Sequence, residues 1–261
     1  AALLPNIANQ MRSLLSNLYL AASQVIPPEQ REQDPALDAK AAILEQSFFR
    51  LLRLVNSMSA AEYLSDSQTL SLRDADLVKL VSEVCESSAD LAEQVGIQLK
   101  FVCAMDRRVC AIHPAAVEQM LYHLLSNALK FTPAGGTVTV ELKKSGETLR
   151  LTVSDTGCGI PPERMAHLFD GCFQPGHPTP APYGLGLGLS LCRAIAEKHG
   201  GSITVESAPG KGSRFMVSLP DRQLGSQLSD IPSVYNGGFS RPLLGLADAL
   251  PSDAFAVRNL E

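Results

Sequence analysis

The segment Asp155-Thr156-Gly157-Cys158-Gly159-Ile160 is the most informative part of the sequence because of the two motifs that flank it. Upstream the chain reads Asn127-Ala128-Leu129-Lys130-Phe131-Thr132-Pro133, and downstream it reads Gly184-Leu185-Gly186-Leu187-Gly188-Leu189. Each motif alone could be an ordinary turn or cap. The three in this order predict a nucleotide site, since each supplies chemistry that the other two lack.

The upstream motif lies on a predicted helix from Ala115 to Phe131. Its apolar residues form one stripe, while His123, Asn127, Lys130 and Phe131 follow the i, i+4, i+7, i+8 spacing of a second face. This face offers an amide that can bind a metal ion, a cation and an aromatic ring.

The central motif begins where an alternating strand from Leu149 ends. The carboxylate of Asp155 can accept a hydrogen bond from an exocyclic amine such as that of adenine. Gly157 and Gly159, just before Ile160, let the backbone turn tightly and approach a flat ring. These residues are the predicted base-binding end of the site.

The downstream glycines lead into a predicted helix from Leu189 to His199. The free amide groups and the dipole of a helix N-terminus favour phosphate. Gly184, Gly186 and Gly188 are therefore predicted to hold the phosphate end of the nucleotide.

Residues 72–220 resemble the catalytic ATP-binding domain of sensor histidine kinases, a branch of the GHKL superfamily. The resemblance continues through Gly200-Gly201-Ser202-Ile203 and Gly210-Lys211-Gly212-Ser213-Arg214-Phe215 to Leu219-Pro220. It implies an α/β sandwich in which a mixed sheet of the Bergerat type carries one layer of helices. It also implies ATP and Mg²⁺ as cofactors.

The same resemblance assigns roles to single residues. Asn127 would coordinate Mg²⁺, Lys130 would contact phosphate, Phe131 would lie against adenine and Asp155 would bind the adenine amine. The other expected nucleotide-binding residues are His123, Gly157, Gly159, Ile160, Gly184, Gly186, Leu187 and Gly188.

Residues 1–66 predict an α-helical hairpin with two apolar seams separated by a polar breaker at residues 27–35. Heptad seams of this kind form four-helix bundles, so we expect a homodimer, with a hairpin packed only on its own domain as the alternative. The seam residues are Leu4, Ile7, Met11, Leu14, Leu18, Ala21 and Val25 in the first helix, and Leu37, Ala41, Leu44, Phe48, Leu51, Val55 and Met58 in the second.

The first helix departs from the family at its reactive position. Histidine kinases carry the motif His-Glu-Leu-Arg-Thr-Pro-Leu there, and in this chain Asn9 and Gln10 occupy the His-Glu positions. With Leu4 at heptad position a, Asn9 falls at the outer position f. An amide nitrogen is delocalised and cannot attack phosphorus, so no catalytic residue is assigned.

The ATP domain departs from the family as well. His123 stands where histidine kinases have Asn, and no Lys or Arg lies between Arg164 and Arg193. Of the predicted lid, residues 171–183, only His177 could carry a positive charge. Phosphoryl transfer needs positive charge at the γ-phosphate. The alternative is that Lys130 with Mg²⁺ suffices.

Two function classes therefore stay open. One is a degenerate, ATP-binding pseudokinase of a two-component pathway; the other is an active GHKL kinase that phosphorylates a His or Ser/Thr in trans. The expected partners are a second copy of the chain and a response regulator or partner kinase.

The composition of the sequence bears on possible partners and on location. A net charge of −5 over 261 residues without a basic run argues against nucleic acid. No apolar run reaches membrane-spanning length and no signal peptide is visible, so we expect a cytoplasmic location, with any membrane attachment through upstream segments. The tail, residues 221–261, is too apolar for a solvated linker. It is expected to dock on its own chain or, alternatively, to bind a partner.

Overall fold

The computed structural model describes residues 3–65, 69–170, 186–225 and 239–259. The helices are α1 (Leu3–Val25), α2 (Pro28–Gln33), α3 (Pro35–Ser65), α4 (Leu77–Gln94), α5 (Pro114–Phe131), α6 (Pro162–Met165), α7 (Leu187–Lys198) and α8 (Arg241–Leu246), with 3₁₀ turns at Ser252–Phe255 and Val257–Asn259. The strands are β1 (Arg73–Asp76), β2 (Gln98–Cys103), β3 (Val109–Ile112), β4 (Thr137–Ser145), β5 (Thr148–Asp155), β6 (Ser202–Ser207) and β7 (Ser213–Pro220).

Five strands form a mixed sheet in the order β2-β4-β5-β7-β6. Strand β2 pairs with β4 in parallel, and the other neighbours pair antiparallel. A second, two-stranded sheet pairs β1 with β3. The predicted α/β sandwich preceded by a helical region is confirmed.

Alternation along the strands decides which face of the sheet is covered. Val138, Val140 and Leu142 of β4 are fully buried, and the residues between them are partly exposed. The period of two places every second side chain on one face, which packs under α4, α5 and α7. The predicted apolar stripe of α5 lies in this layer: Val117, Met120, Leu121, Leu124, Leu125 and Ala128 are buried.

Two predicted boundaries differ from the structure. Helix α7 begins at Leu187 rather than Leu189, because Gly186 takes a left-handed backbone (φ 65°) and is the N-cap. The polar breaker at residues 27–35 contains the short helix α2, which begins on Pro28, a residue suited to the first helical turn.

The two long helices α1 and α3 pack side by side. In α1 the predicted seam residues Ile7, Met11, Leu14, Leu18 and Val25 are exposed. The seam of α3 divides: Ala41, Phe48 and Val55 are buried within the chain, whereas Leu44, Leu51 and Met58 are exposed. Apolar seam residues of both helices are therefore left on the surface.

Residues 239–259, called here the C-terminal segment, pack against both the hairpin and the ATP domain. Phe239 lies against Tyr19 (ring centroids 5.0 Å apart) and Phe48 (5.1 Å), and Phe255 lies against Phe49 (5.5 Å). Leu243, Leu244, Leu246, Leu250 and Phe255 are buried. Within this segment the expected docking on the same chain is confirmed, while Ile231, Val234 and Tyr235 of the tail lie outside the described residues.

The residues just after residue 220, the predicted end of the ATP domain, are hydrogen-bonded to its two-stranded sheet. The backbone N–H of Ala111 donates to the carbonyl of Arg222 (2.7 Å), and the N–H of Leu224 donates to the Asp74 carboxylate (2.8 Å). Residues 221–224 thus lie along β3 and β1. Among the described residues, no helix combines the length and the apolar character that a membrane crossing requires.

Candidate nucleotide site

Asp155 is the last residue of β5, and its neighbours fix the orientation of its side chain. Its Oδ1 accepts hydrogen bonds from the backbone N–H of Gly157 (2.8 Å) and of Ser213 (3.2 Å). Burial raises the pKa of Asp155, and these hydrogen bonds oppose that effect. The carboxylate is therefore held in one orientation at the strand tip, as recognition of a base amine requires.

Gly157 and Gly159 are required by close approaches of the backbone. A Cβ on Gly157 would lie 2.3 Å from the carbonyl oxygen of Phe131, and one on Gly159 would lie 2.0 Å from that of Ala208. Gly159 also has a φ of 71°. Both positions exclude a side chain, so the loop after Asp155 lies directly between the end of α5 and the β6–β7 turn.

The turn between β6 and β7 closes this loop from the other side. The N–H of Ile160 donates to Ser207 Oγ (2.8 Å), which in turn donates to the carbonyl of Gly212 (2.8 Å). The N–H of Gly210 donates to the carbonyl of Cys158 (2.8 Å). These contacts hold the glycine-rich turn around Gly212 against the loop that follows Asp155.

The predicted binding face of α5 brings Asn127, Lys130 and Phe131 to the same side of the site. Asn127 is half-buried, and Phe131 is partly exposed with Lys130 Nζ 5.8 Å from its ring centroid. The carbonyl of Phe131 accepts from the N–H of Cys158 (3.2 Å), which joins the end of α5 to the loop after Asp155. The predicted metal-binding and base-binding elements are adjacent.

His123, the fourth residue of that face, is only 6% exposed. Its Nδ1 lies 3.1 Å from Arg53 Nη2 on α3. A guanidinium only donates, so Nδ1 is the acceptor and the ring proton is on Nε2. Burial, with a smaller contribution from Arg53, lowers the pKa of His123 to about 3. The ring is therefore neutral at physiological pH and contributes no positive charge.

The N-terminus of α7 lies beside His123. A Cβ on Gly188, in the first turn of α7, would lie 3.2 Å from His123 Nδ1. Gly186, at the N-cap, and Leu187 complete this turn. The predicted phosphate end of the site therefore borders the buried pair of His123 and Arg53.

Several predicted features lie outside the described residues, namely Gly184, Leu185 and the lid at residues 171–183. Sequence reasoning missed Arg53 of α3, which contacts His123, and Asp248 of the C-terminal segment, which pairs with Arg53. No local signal marks them, because each belongs to an element that is distant in sequence from the nucleotide motifs. The contact of Asp155 with Gly212 and Ser213 could have been expected, because these two residues belong to a second glycine-rich turn in the sequence.

Residues 112–223 match the family of histidine kinase-, DNA gyrase B- and HSP90-like ATPases. The circadian input-output histidine kinase CikA of Synechococcus elongatus is 34% identical over 190 residues, which cover 71% of this chain and 25% of CikA. The sensor histidine kinase RppB of Synechocystis is 30% identical over 217 residues, which cover 82% of this chain and 48% of RppB. This chain is a sensor histidine kinase core.

Solved structures of histidine kinases share the architecture of this core. Full-length ShkA in complex with AMPPNP matches 85% of the chain and 46% of ShkA with a TM-score of 0.67 and 25% identity. The catalytic domain of ThkA matches 59% of the chain and 97% of that domain, with a TM-score of 0.52 and 25% identity. The histidine kinase core described here spans about half or less of the length of CikA, RppB and ShkA.

Proposed function

We propose that this histidine kinase core binds ATP and acts as a pseudokinase in a two-component pathway, without phosphorylating itself. The observation that carries the proposal is the residue at the acceptor position. Asn9 is exposed on α1, and its Oδ1 accepts a hydrogen bond from Arg12 Nη1 (2.7 Å). A solvent-facing amide at this position is accessible to a docked ATP domain but has no nucleophilic nitrogen.

ATP binding is supported by the residues around Asp155, which suit an adenine base. Asp155 presents an oriented carboxylate, and glycines stand wherever a side chain would fill the loop around it. Such a carboxylate accepts from the amine of adenine but would meet the carbonyl of guanine acceptor to acceptor. The ShkA complex with AMPPNP supports the same class of ligand for this chain.

For Mg²⁺, the residues fit in part. Asn127 would be the protein ligand, and the nucleotide phosphates would supply oxygen ligands, as is usual for this ion. His123 does not fit through Nδ1, since that nitrogen faces the guanidinium of Arg53 at 3.1 Å. The bound metal would neutralise phosphate charge, while Lys130 and the first turn of α7 orient the phosphates.

Phosphoryl transfer is disfavoured by the phosphate end as well. His123 is neutral, so it supplies no cation. It is also a poor base toward water, because its pKa is lowered to about 3 and its Nδ1 lone pair faces Arg53. The chain between Arg164 and Arg193 contains no Lys or Arg. The nucleotide would accordingly set the conformation of the protein rather than be consumed.

We also propose a homodimer through residues 1–66 and a catalytic ATP-binding domain at residues 72–220. Residues 221–261 form a C-terminal tail, of which residues 239–259 pack on both parts. The exposed seam residues, which include Leu14, Leu18 and Leu51, support the dimer, because large exposed apolar side chains at seam positions favour burial against a partner. A response regulator or a partner kinase is the expected second partner. Its recognition would involve the hairpin surface near Asn9.

Incubation with γ-labelled ATP tests the function. We expect no acid-labile, base-stable label on the wild-type protein, and little on the variant that combines Asn9→His with Gln10→Glu. Label on the wild-type protein would refute the proposal. AMPPNP titration by calorimetry, with and without Mg²⁺, tests nucleotide binding separately.

A second candidate, a kinase that acts in trans, is favoured by one contact. Arg53 places a buried guanidinium beside the phosphate end, where the lid offers no basic residue. Strong labelling of the double variant alone would support this candidate, because it would demonstrate a competent ATP domain that has lost only its acceptor.

A further inference from the structure

Arg53 is a cation at the phosphate end that belongs to neither the nucleotide motifs nor the lid. It extends from α3, is 9% exposed, and donates from Nη1 to Ser126 Oγ (2.8 Å) while Nη2 contacts His123. Since His123 lies against the first turn of α7, the guanidinium is one side chain away from the amide groups predicted to hold phosphate. An anion entering there would meet a permanent positive charge.

That charge is already partnered by a residue of the C-terminal segment. Asp248 Oδ2 lies 3.3 Å from Arg53 Nη1. The Asp248 side chain is about half exposed, so its carboxylate can leave the ion pair and be solvated by water more readily than the buried guanidinium of Arg53. Burial lowers the pKa of Lys130 and the negative charge of Asp248 opposes that effect, which places this carboxylate within electrostatic range of the predicted phosphate-binding lysine as well.

The position of Asp248 is set by anchors on either side of it. Arg50 Nε donates to the carbonyl of Ala247 (3.1 Å), and Gln46 Nε2 donates to the carbonyl of Leu250 (2.7 Å). Ala247 and Leu250 are themselves buried. Gln46, Arg50 and Arg53, on successive turns of α3, therefore contact residues 247–250. The backbone hydrogen bonds on both sides of Asp248 fix the position of its carboxylate.

We propose that Arg53 is a phosphate-binding residue of the nucleotide site and that Asp248 is its counterion when no nucleotide is bound. Nucleotide phosphate and the C-terminal segment then compete for one guanidinium. This inference rests on the proposed function, because it takes the site to bind ATP.

Competition of this kind couples two parts of the molecule. If phosphate displaces Asp248 from Arg53, nucleotide loosens the contact of residues 247–250 with α3, and that contact weakens nucleotide binding by the same factor. The C-terminal segment also joins the hairpin to the ATP domain through Arg31, which donates to the carbonyl of Phe255 (2.9 Å). Nucleotide occupancy would thereby regulate how tightly the two domains are held together.

The test is the affinity for AMPPNP of the full chain and of its Asp248→Asn variant. We expect the variant to bind about fivefold more tightly or better, the lower end of usual coupling between sites. In the wild type, AMPPNP should also speed hydrogen exchange at residues 247–250. The matched control is Asp253→Asn, which removes the same charge from the same segment, where Asp253 pairs with the exposed Arg258; it should bind like the wild type.

A second background tests whether Arg53 carries the effect. In Arg53→Met, AMPPNP should bind more weakly, and adding Asp248→Asn should restore little. If Arg53→Met does not fold, the comparison of Asp248→Asn with Asp253→Asn decides alone. Equal AMPPNP affinity of Asp248→Asn and the wild type would overturn the inference and leave the proposed function standing. Absence of binding to every variant would overturn both.

Discussion

The carboxylate of Asp155 has two tasks, because its Oδ1 orders the loop through Gly157 and Ser213 while the group as a whole faces the predicted base. Asn can perform the first task, since its Oδ1 still accepts from both N–H groups. It cannot perform the second, because Nδ2 would then meet the adenine amine donor to donor. The residue type is thus required by recognition rather than by folding.

We accordingly predict that Asp155→Asn weakens AMPPNP binding about tenfold or more, the loss expected for a hydrogen bond to a charged group. Calorimetric titration gives the affinity, and a thermal unfolding curve close to that of the wild type gives the control. An unchanged affinity would show that the adenine pocket is assigned to the wrong residue.

Glycine at position 159 is required twice, by its φ of 71° and by the carbonyl of Ala208 at 2.0 Å from any Cβ. Gly146 has a similar φ of 62° with nothing within 4 Å of its Cβ position, which makes it the matched control. We predict that Gly146→Ala costs about 1–2 kcal/mol of unfolding free energy, the strain of left-handed backbone alone. Gly159→Ala should cost clearly more in urea denaturation, and equal costs would contradict the close approach.

The sequence predicts the helix α5 and the strand β5 to within a residue at each end. Their apolar periods of 3.6 and 2 are continuous, and His113 caps α5 while a strand must end before the glycines after Asp155. The start of α7 is missed because the sequence does not say which of three glycines takes the left-handed conformation. The sequence does not predict that His123 is buried, because Arg53, which packs against it, belongs to the distant helix α3.

Asp221 joins separate elements through ion pairs. Its carboxylate contacts Arg108, just before β3, and Lys144 Nζ on β4 (2.8 Å), and its side chain is 3% exposed. The Arg108 and Lys144 partners hold the pKa of Asp221 below its ordinary value of 3.8. A carboxyl group with a depressed folded-state pKa stabilises the fold above its unfolded pKa, and this contribution is lost as the pH falls through the folded value.

We predict that Asp221→Asn lowers the unfolding free energy at neutral pH by about 1–3 kcal/mol, as for other hydrogen bonds to charged groups. The difference from the wild type should shrink as the pH falls below 3.8, where the unfolded carboxyl is already protonated. Urea denaturation between neutral and acidic pH measures both. Asp253→Asn, which removes an exposed pair, should change stability little at any pH; a difference for Asp221→Asn that persists in acid would contradict the ion-pair explanation.

The arrangement of the hairpin, the ATP domain and the C-terminal segment is the part of the fold that the sequence could not predict. The apolar residues of the tail show that it must be buried, but not where. Its place is set by Arg31, Gln46 and Arg50, which donate to backbone carbonyls. Carbonyls are present at every residue, so no sequence pattern identifies which of them a long side chain will reach.

This packing leaves part of the seam of α1 exposed to solvent. Leu14 and Leu18, at seam positions of α1, are 63% and 66% exposed, and a buried leucine contributes about 1.5–3 kcal/mol. If the seam is the dimer interface, Leu14→Glu with Leu18→Glu places four charges in it and should convert the dimer into a monomer at micromolar concentration. Leu20→Glu is the control, because Leu20 is 58% exposed but lies off the seam. Light scattering gives the mass of each, and a wild-type monomer, or a dimer disrupted equally by Leu20→Glu, would refute this interface.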